Sequence, residues 1–294
     1  MKLLFLVNPH SGRGKAAKRA NQAMKRALQL GHEVEEISLP NLEESHSQAR
    51  RVLSSQDFDA LIIAGGDGSV HDALPLLTEF NIPFAVIASG TGNDFTRVVG
   101  LHKRSPEAVI DLITSTRPES YDLGEVRLAS SSKIFIQVLS TGFDSLVNER
   151  ANGYKHLRGK IKYVLATLRE IFIFQAKPFT FSVDGVRYQR EAMLLAVANG
   201  ANYGGGMKIV PHADGQDGKL DLLLLNRVPK GEFIRVFPRV FSGRHLTHPA
   251  VEVFAGREIE IAADVVAYAD GEYVGDLPLS ISTLPGRVHT WIAH

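Results

Sequence analysis

The chain has 294 residues, which suffices for one large domain or two of ordinary size. Its 33 lysine and arginine residues nearly balance 32 aspartate and glutamate residues, and the net charge of +1 argues against a nucleic-acid-binding protein, whose phosphate contacts need a basic excess. The absence of cysteine excludes disulfides, thiolate metal sites and cysteine nucleophiles. No apolar run reaches the roughly 20 residues that cross a bilayer, and residues 3–7 are too short for the apolar part of a signal peptide. A cytoplasmic protein is therefore expected, with contact at the inner membrane surface left open.

The first third of the chain predicts strands that alternate with helices. Short apolar runs predict buried strands, and the longer segments between them are rich in helix-forming residues. Strands separated by helices indicate βαβ units, in which neighbouring strands are parallel and ligands bind beyond the carboxyl ends of the strands. The predicted strands are residues 2–7, 33–39, 60–64 and 84–88, and the predicted helices are residues 14–30, 46–55 and 71–80.

From about residue 121 the pattern changes to short β-rich runs, which predict an antiparallel, sandwich-like second domain. We place the boundary near residues 117–121, so that the first domain covers 1–120 and the second covers 121–284. A last predicted strand at 289–292 leaves open a return of residues 285–294 to the first domain. The other predicted strands are 121–126, 133–139, 179–183, 192–198, 220–225, 251–254, 259–261 and 266–269, and the predicted helices are 159–175 and 231–241.

Residues 8–15, with the sequence NPHSGRGK, connect the first predicted strand to a basic helix. The first 32 positions hold seven basic residues and no acidic one, and a helix N-terminus preceded by small residues favours a phosphate group. The segment is not a Walker A loop, because Pro9 stands at its first glycine position and Ala16 follows Lys15. The relaxed dinucleotide fingerprint also matches here, which keeps a nicotinamide-dependent dehydrogenase and an ordinary turn as alternatives.

Two further glycine-rich segments follow the third and fourth predicted strands. Residues 65–69 read GGDGS, and residues 90–95 read GTGNDF. Glycines permit positive φ angles and close backbone approach, and Asp67 can accept hydrogen bonds from a ribose or reach a metal-bound water. Capping of the next helix by Ser69 is the purely structural alternative. Because all three segments follow strands of one parallel sheet, they share one crevice, which favours a ligand site.

Two acidic segments lie in the second half of the chain. Residues 214–221 read DGQDGKLD, and closely spaced carboxylates with a backbone carbonyl suit a hard cation such as Mg²⁺, although the spacing is not that of an EF-hand. Residues 269–272 read ADGE, and one of their two carboxylates could act as a general base on an alcohol. A solvated turn explains either segment taken alone.

Taken together, the motifs resemble those of the diacylglycerol kinase catalytic family, in particular its bacterial soluble lipid kinases, which are related to sphingosine kinases. The matching segments stand in the order of the family and extend over essentially the whole chain. They are NPHSGRGK at 8–15, GGDGS at 65–69, GTGNDF at 90–95, STGFD at 140–144, GGGMKIVPHADGQDGKLDL at 204–222 and ADGE at 269–272.

The resemblance implies an N-terminal nucleotide-binding domain of Rossmann-like α/β type, a C-terminal antiparallel β-sandwich and an active site in the cleft between them. It implies that ATP and Mg²⁺ are used to phosphorylate a lipid hydroxyl, such as that of diacylglycerol. The proton acceptor would be Asp270 or Glu272, and we favour Asp270. The implied nucleotide contacts are Asn8, Pro9, His10, Ser11, Gly12, Lys15, Ser38, Gly65, Gly66, Asp67, Gly68, Ser69, Val70, His71, Thr91, Asn93 and Asp94, and the implied Mg²⁺ ligands are Asp214, Asp217 and the carbonyl of Lys219.

The chain departs from the family pattern at a few positions. Ser69 stands where threonine is common, which keeps a hydroxyl, whereas His71 and Asp72 stand where Asn-Glu is frequent, which changes one side-chain contact. Two other functions stay open, a kinase for a soluble hydroxyl compound such as NAD and a non-catalytic nucleotide-binding regulator.

A lipid acceptor requires contact with a membrane, and two basic segments with interleaved aromatic residues are candidates for peripheral docking. Residues 150–177 hold seven basic residues and one acidic residue, and residues 227–244 hold five basic residues with Phe233, Phe237 and Phe241. The alternative is that the aromatic residues belong to the core and the charges are solvated. The sequence predicts neither the lipid nor the oligomeric state, and a homodimer stays open.

Overall fold

The structure is a computed structural model that describes residues 1–128, 131–142 and 175–294. The chain divides into two compact units, of which unit 1 comprises Met1–Tyr121 with Gly286–His294 and unit 2 comprises Asp122–Pro285. The first division lies beside the predicted boundary at 117–121, and the second lies at 285, from which the sequence leaves a return to the first domain open. The predicted helix at 159–175 and the basic segment at 150–177 lie almost wholly outside the described residues.

Unit 1 is a parallel sheet whose strands are joined by helices. The strand order is 2-1-3-4, with every pair parallel. Because the chain moves from the first strand to one side and from the third strand to the other, the topological switch point lies between these two strands. The strands are β1 (Lys2–Val7), β2 (Glu33–Ile37), β3 (Ala60–Gly65) and β4 (Phe84–Ala88), and the helices are α1 (Lys15–Gln29), α2 (Leu42–Ser55), α3 (Asp67–Phe80), α4 (Asp94–Val98) and α5 (Pro106–Ser115).

Unit 2 is built from antiparallel strands, and the predicted fold class is confirmed. Its strands include β5 (Glu119–Arg127), which begins in unit 1, β6 (Ser132–Phe135), β7 (Val138–Gly142), β8 (Lys177–Val183), β9 (Val186–Ala198), β10 (Asn202–Tyr203), β11 (Met207–Lys208), β12 (Leu220–Asn226), β13 (Val251–Gly256), β14 (Glu258–Ala262), β15 (Val266–Ala269), β16 (Glu272–Asp276) and β17 (Leu279–Thr290). A helix, α6 (Lys230–Val236), is followed by 3₁₀ turns at Phe237–Ser242 and Arg244–Thr247.

The long strand β9 organises unit 2. Its first half pairs with β8, and its second half lies between β7 and β12. Successive residues of a strand point to opposite faces, so Leu195 and Val197 belong to one apolar cluster, whereas Leu194 and Ala196 belong to a second. The second half of β9, residues 192–198, is therefore buried on both faces, as its continuous apolar run indicates.

The C-terminal end of the chain completes unit 1. Strand β17 ends in a parallel pairing of Thr290 with Phe84 of β4. Trp291 follows with an exposed fraction of 2% and packs in the core of unit 1, and its indole N–H donates to the Thr116 carbonyl at 3.3 Å. The return of the chain therefore adds a strand end and a large aromatic side chain to the first sheet.

Two predicted elements differ from the structure for local reasons. The strand predicted at 133–139 is two strands, β6 and β7, because the backbone between them is bonded to the Asp270 carboxylate. The helix predicted at 231–241 ends as an α-helix at Val236, because Pro238 has no backbone N–H to continue the pattern. None of the helices in the described parts of the chain has the length and apolarity that a bilayer crossing requires.

Candidate functional site

Asn8 joins the loop after β1 to the first turn of α3. Its side-chain N–H donates to Ser69 Oγ at 3.3 Å, and its Oδ1 accepts the backbone N–H of His10 at 3.1 Å. The backbone N–H of Asn8 itself donates to the carbonyl of Ala64 in β3 at 3.0 Å. The predicted segments 8–15 and 65–69 therefore meet at the switch point of the sheet.

The third predicted segment meets the other two through glycine backbones. Gly12 has a φ of 59°, and a Cβ on it would lie 2.1 Å from the carbonyl oxygen of Ser89. A Cβ on Gly66 would lie 2.9 Å from the Gly90 Cα, and one on Gly90 would lie 2.7 Å from the Gly66 Cα. Real Cβ atoms do not approach so closely, so these three positions require glycine for a steric reason.

Asn93 and Asp67 hold the segment after β4 in place. Asn93 adopts a left-handed conformation with a φ of 55°, and its amide exchanges two hydrogen bonds of 2.9 Å with the backbone of Gly90. Asp67 Oδ1 accepts the backbone N–H of Phe95 at 3.1 Å. Burial, followed by the negative charge of Asp94, raises the pKa of Asp67 to about 6 from its ordinary value of 3.8.

The remaining predicted nucleotide contacts take different environments in unit 1. Lys15 is the exposed first residue of α1, and Thr91 is exposed between Gly90 and Asn93. Val70 is buried, so its side chain belongs to the core, and its backbone N–H already donates to the carbonyl of Gly66 at 3.2 Å. The first turn of α1 contains no acidic residue, which leaves the positive end of its dipole uncompensated.

A pocket of about 190 Å³ adjoins this site. Asn8, His10 and Ser69 line one part of it, and Leu39 and His46 line another. Ser38, a predicted contact, directly precedes this lining in the chain. Burial, followed by the charge of Arg50, lowers the pKa of His46, so the ring facing the pocket favours its neutral form. The sequence analysis missed His46, which lies on the amphipathic helix α2 with no motif around it.

In unit 2, Asp122 fixes the acidic segment at 214–221. This aspartate is 2% exposed, and its Oδ2 accepts the backbone N–H of Gly218 at 2.7 Å. Its own backbone N–H donates to the carbonyl of Gly215 at 2.6 Å. The sequence analysis missed Asp122, for which the only signal is a carboxylate inside a run predicted as a buried strand.

Asp214 and Asp217 are exposed on this segment, and each accepts one backbone N–H of its own loop. Asp214 Oδ1 bonds Gln216 at 3.1 Å, and Asp217 Oδ1 bonds Lys219 at 2.9 Å. Among the described residues, no group of three or more histidine, cysteine, aspartate or glutamate side chains could hold a metal ion. Two carboxylates and a carbonyl are all oxygen donors, so they fit a cation such as Mg²⁺ that keeps several waters.

The ADGE segment forms a two-residue hairpin turn between β15 and β16. Asp270 and Gly271 have φ angles of 50° and 93°, the positive pair that defines a type I′ turn. The Asp270 carboxylate accepts backbone N–H groups from Ile136 at 2.8 Å, Gln137 at 2.9 Å and Val138 at 3.2 Å. The carboxylate is therefore committed to holding the chain between β6 and β7.

Glu272 stands two residues further on, at the start of β16, in a different environment. Its side chain is exposed and makes no hydrogen bond or ion pair with another described residue. Of the two carboxylates kept as candidates for the proton acceptor, Glu272 is thus the one with free acceptor capacity.

The glycine contacts predict a sharp difference between two neighbouring positions. We expect Gly66→Ala to lower ATP affinity at least tenfold and to destabilise unit 1, because overpacking forces the loops apart at about 1–3 kcal/mol. Gly68→Ala is the matched control, since a Cβ there meets nothing within 4 Å. ATP titration by calorimetry and urea unfolding measure both effects. Equal ATP affinities for the two variants would contradict the steric requirement.

The raised pKa of Asp67 predicts a pH dependence of stability. Because the folded-state pKa is about 6 and the ordinary value is 3.8, its contribution to stability is full below pH 3.8 and is lost as the pH rises through 6. The free energy of unfolding of Asp67→Asn should therefore rise by about 2–3 kcal/mol relative to that of the wild type as the pH is raised from 4 to 7. Urea unfolding at several pH values measures this, with Asp264→Asn, at a fully exposed carboxylate, as control. Parallel curves for wild type and Asp67→Asn would refute the assignment.

Comparison with known proteins agrees with these features. The family model described as the diacylglycerol kinase catalytic domain matches residues 2–126, and the one described as the YegS C-terminal NAD kinase beta sandwich-like domain matches residues 137–291. A diacylglycerol kinase of Mycobacterium tuberculosis (strain ATCC 25618 / H37Rv) is 35% identical over 293 residues, which covers 98% of this chain and 94% of that protein. A diacylglycerol kinase of Bacillus subtilis (strain 168) is 27% identical, with 97% and 94% covered.

A solved structure shows the same fold over the whole length. The crystal structure of a diacylglycerol kinase from Bacillus anthracis str. Sterne has a TM-score of 0.78 and 23% identity to this chain, with 99% of this chain and 97% of that chain covered. The resemblance seen in the motifs is confirmed: the chain belongs to the diacylglycerol kinase catalytic family and is a kinase of that family.

Proposed function

We propose that this kinase transfers the γ-phosphoryl group of ATP to the hydroxyl of a membrane lipid such as diacylglycerol. The observation that carries the proposal is the meeting of three glycine-rich segments at the switch point of unit 1, because it presents backbone N–H groups without intervening side chains. The relatives named diacylglycerol kinase, which match this chain over nearly their full length, support a lipid as the acceptor.

In the proposed reaction, unit 1 binds and neutralises the phosphates of ATP. The N-terminus of α1 carries a partial positive charge, and Lys15 adds a full charge at the same end. Phosphoryl transfer needs positioning and charge stabilisation more than covalent catalysis. The loop backbones held by Asn8 and Asn93 meet the first need, and the basic helix end meets the second.

Mg²⁺, when bound, would neutralise charge on the transferred phosphoryl group. We propose Asp214, Asp217 and the carbonyl of Lys219 as its protein ligands, with Asp122 as the residue that positions their loop. Binding would require little rearrangement of the backbone, because two hydrogen bonds of Asp122 already hold the segment.

We propose Glu272 as the proton acceptor and Asp270 as a positioning residue. As the acceptor hydroxyl oxygen attacks the γ-phosphorus, the bond from that phosphorus to the leaving ADP oxygen breaks and the hydroxyl proton passes to a carboxylate. A carboxylate that already accepts three backbone N–H groups has few lone pairs left for that proton. The Glu272 carboxylate is free to accept the proton, and the turn held by Asp270 fixes the position of the Glu272 backbone.

A soluble hydroxyl compound such as NAD is the second candidate acceptor. One observation favours it, namely that the family model matched by residues 137–291 is described as NAD kinase-like in its β-sandwich. A non-catalytic nucleotide-binding role is less favoured, because such a protein has no need of the exposed Glu272 or of the acidic loop.

Label transfer from γ-labelled ATP tests the acceptor. With Mg²⁺ present, we expect the label to enter one class of a panel of hydroxyl lipids in mixed micelles and not NAD or a control without acceptor. Labelling of NAD alone would replace the lipid by a soluble acceptor. Absence of any transfer, with ATP binding measurable by calorimetry, would refute the kinase reaction with these acceptors.

Substitution of the two carboxylates separates their roles. Glu272→Gln should lower kcat by about 10²–10⁴ without loss of stability, because only the proton acceptor is removed. Asp270→Asn should lower the free energy of unfolding by about 1–3 kcal/mol as well, because its NH₂ group cannot accept the backbone N–H groups of the turn. Label transfer and urea unfolding measure the two effects.

Glu258→Gln provides the matched control for this pair of variants, because Glu258 is likewise the exposed first residue of a strand. A large loss of kcat in Asp270→Asn with full activity of Glu272→Gln would reverse the two roles. Near-normal turnover of both variants would remove the ADGE segment from the mechanism.

A further inference from the structure

One face of the segment from Lys230 to Thr247 is packed against the rest of unit 2. Phe233, Val236 and Val240 are buried at helical spacing. The ring of His245 is buried and bonds the carbonyl of Ile209 through Nε2 at 2.9 Å. The segment is therefore fixed to unit 2, and its outer face is a defined surface.

Two large apolar side chains lie on that outer face. Ile234 is 46% exposed, and Phe241 is 54% exposed. Both belong to a segment whose buried residues face unit 2, so the two exposed side chains lie on its solvent-facing side. The sequence could not separate core from surface among Phe233, Phe237 and Phe241, and the structure assigns Phe233 to the core and Phe241 to the surface.

Three exposed arginines lie on the same segment as these apolar residues. Within the described parts of the chain, the guanidinium groups of Arg235, Arg239 and Arg244 take part in no hydrogen bond or ion pair. Elsewhere in unit 2, Arg190 pairs with a glutamate at 2.9 Å, and Arg227 pairs with another at 3.1 Å. Three arginines without an acidic partner among the described residues are thus concentrated within ten positions of the chain, residues 235–244.

The single acidic residue of the segment has its own partner outside the segment. Residues 230–247 contain four basic residues and one acidic residue, Glu232, which leaves a net charge of 4 − 1 = +3. Glu232 bonds His248 Nε2 at 2.9 Å and is not paired with any of the three arginines. The uncompensated positive charge therefore belongs to the outer face.

A shallow hollow of about 600 Å³ lies between two of the arginines. It is lined by Pro238, Arg239, Ser242, Arg244 and Thr247. The hydroxyl protons of Ser242 and Thr247 are used in hydrogen bonds to carbonyls of their own turns. The two guanidinium groups thus supply the free donors, and guanidinium matches the geometry of a phosphate group.

We propose that Ile234, Arg235, Arg239, Phe241 and Arg244 form a docking face for an anionic lipid bilayer, with a lipid phosphate held between Arg239 and Arg244. Exposed apolar side chains interspersed with arginines suit the boundary between headgroups and acyl chains, where the apolar groups contact the acyl chains and the guanidinium groups contact the phosphates. The inference rests on the proposed function, because a docking face would bring the enzyme to its lipid acceptor. Binding to the bilayer itself does not require catalysis.

Vesicle co-sedimentation without ATP tests the docking face. The wild type should bind vesicles of phosphatidylcholine with phosphatidylglycerol and bind phosphatidylcholine alone far more weakly. Arg239→Gln/Arg244→Gln should lower partitioning onto the anionic vesicles roughly 25-fold, about fivefold for each charge removed. Phe241→Ser should lower it roughly tenfold through lost apolar contact.

Matched variants on other surfaces provide the controls. Arg51→Gln/Arg187→Gln removes the same charge from exposed positions, and Leu28→Ser replaces an apolar side chain that is 56% exposed. Both should bind as the wild type does. Equal losses in the control and face variants, binding that ignores phosphatidylglycerol, or no binding to either vesicle would overturn the proposal, and the last would point to a protein partner for this face.

The docking face and the lipid kinase reaction can fail separately. In mixed micelles, label transfer by Arg239→Gln/Arg244→Gln should equal that of the wild type, whereas on anionic vesicles the variant should show a raised KM with kcat unchanged. If the wild type binds anionic vesicles but phosphorylates no lipid, and the variant loses that binding, the docking face is supported and the lipid kinase reaction is refuted. Normal vesicle binding of the variant with full lipid phosphorylation would refute only the docking face.

Discussion

The close contact of backbones at the carboxyl ends of β1, β3 and β4 is the constraint on which unit 1 depends. Adjacent strands of a sheet lie only about 4.8 Å apart, and the segments that leave them must share that narrow edge. Gly12 against Ser89 and Gly66 against Gly90 fill it without side chains. In the proposed function the same lack of side chains exposes amide groups to the phosphates of ATP, so one steric requirement would serve both folding and binding.

Aspartates hold chain segments in both units by accepting backbone hydrogen bonds over long sequence separations. Asp67 does so for the start of α4, Asp122 for the acidic loop and Asp270 for the chain between β6 and β7. A carboxylate that accepts such bonds fixes its partner strongly, since charge-assisted hydrogen bonds are the strong ones. In Asp67 the burial that goes with this role disfavours the charged form. The free energy of unfolding therefore falls as the pH rises and Asp67 ionises.

Much of the fold and of the candidate site could be predicted from local sequence. Glycine-rich breaks after apolar runs gave the βα corners of unit 1, because turn chemistry and strand periodicity are local properties. The break between β6 and β7 could not be predicted, since it depends on a carboxylate from more than a hundred residues away. Asp122 and His46 could not be predicted because no motif surrounds either residue and their roles depend on contacts made in the folded chain. The spacing of Phe233, Phe237 and Phe241 could not distinguish an inner face from an outer one.

The place of Trp291 in the core of unit 1 has a consequence for the order of events during synthesis. Domains generally fold as units as the chain emerges, with the N-terminal one first. Here the first sheet lacks its last strand end and its largest buried side chain until residues 286–294 have been made. The core of unit 1, which is begun by the first residues to be translated, can therefore be completed only after all of unit 2 has been synthesised.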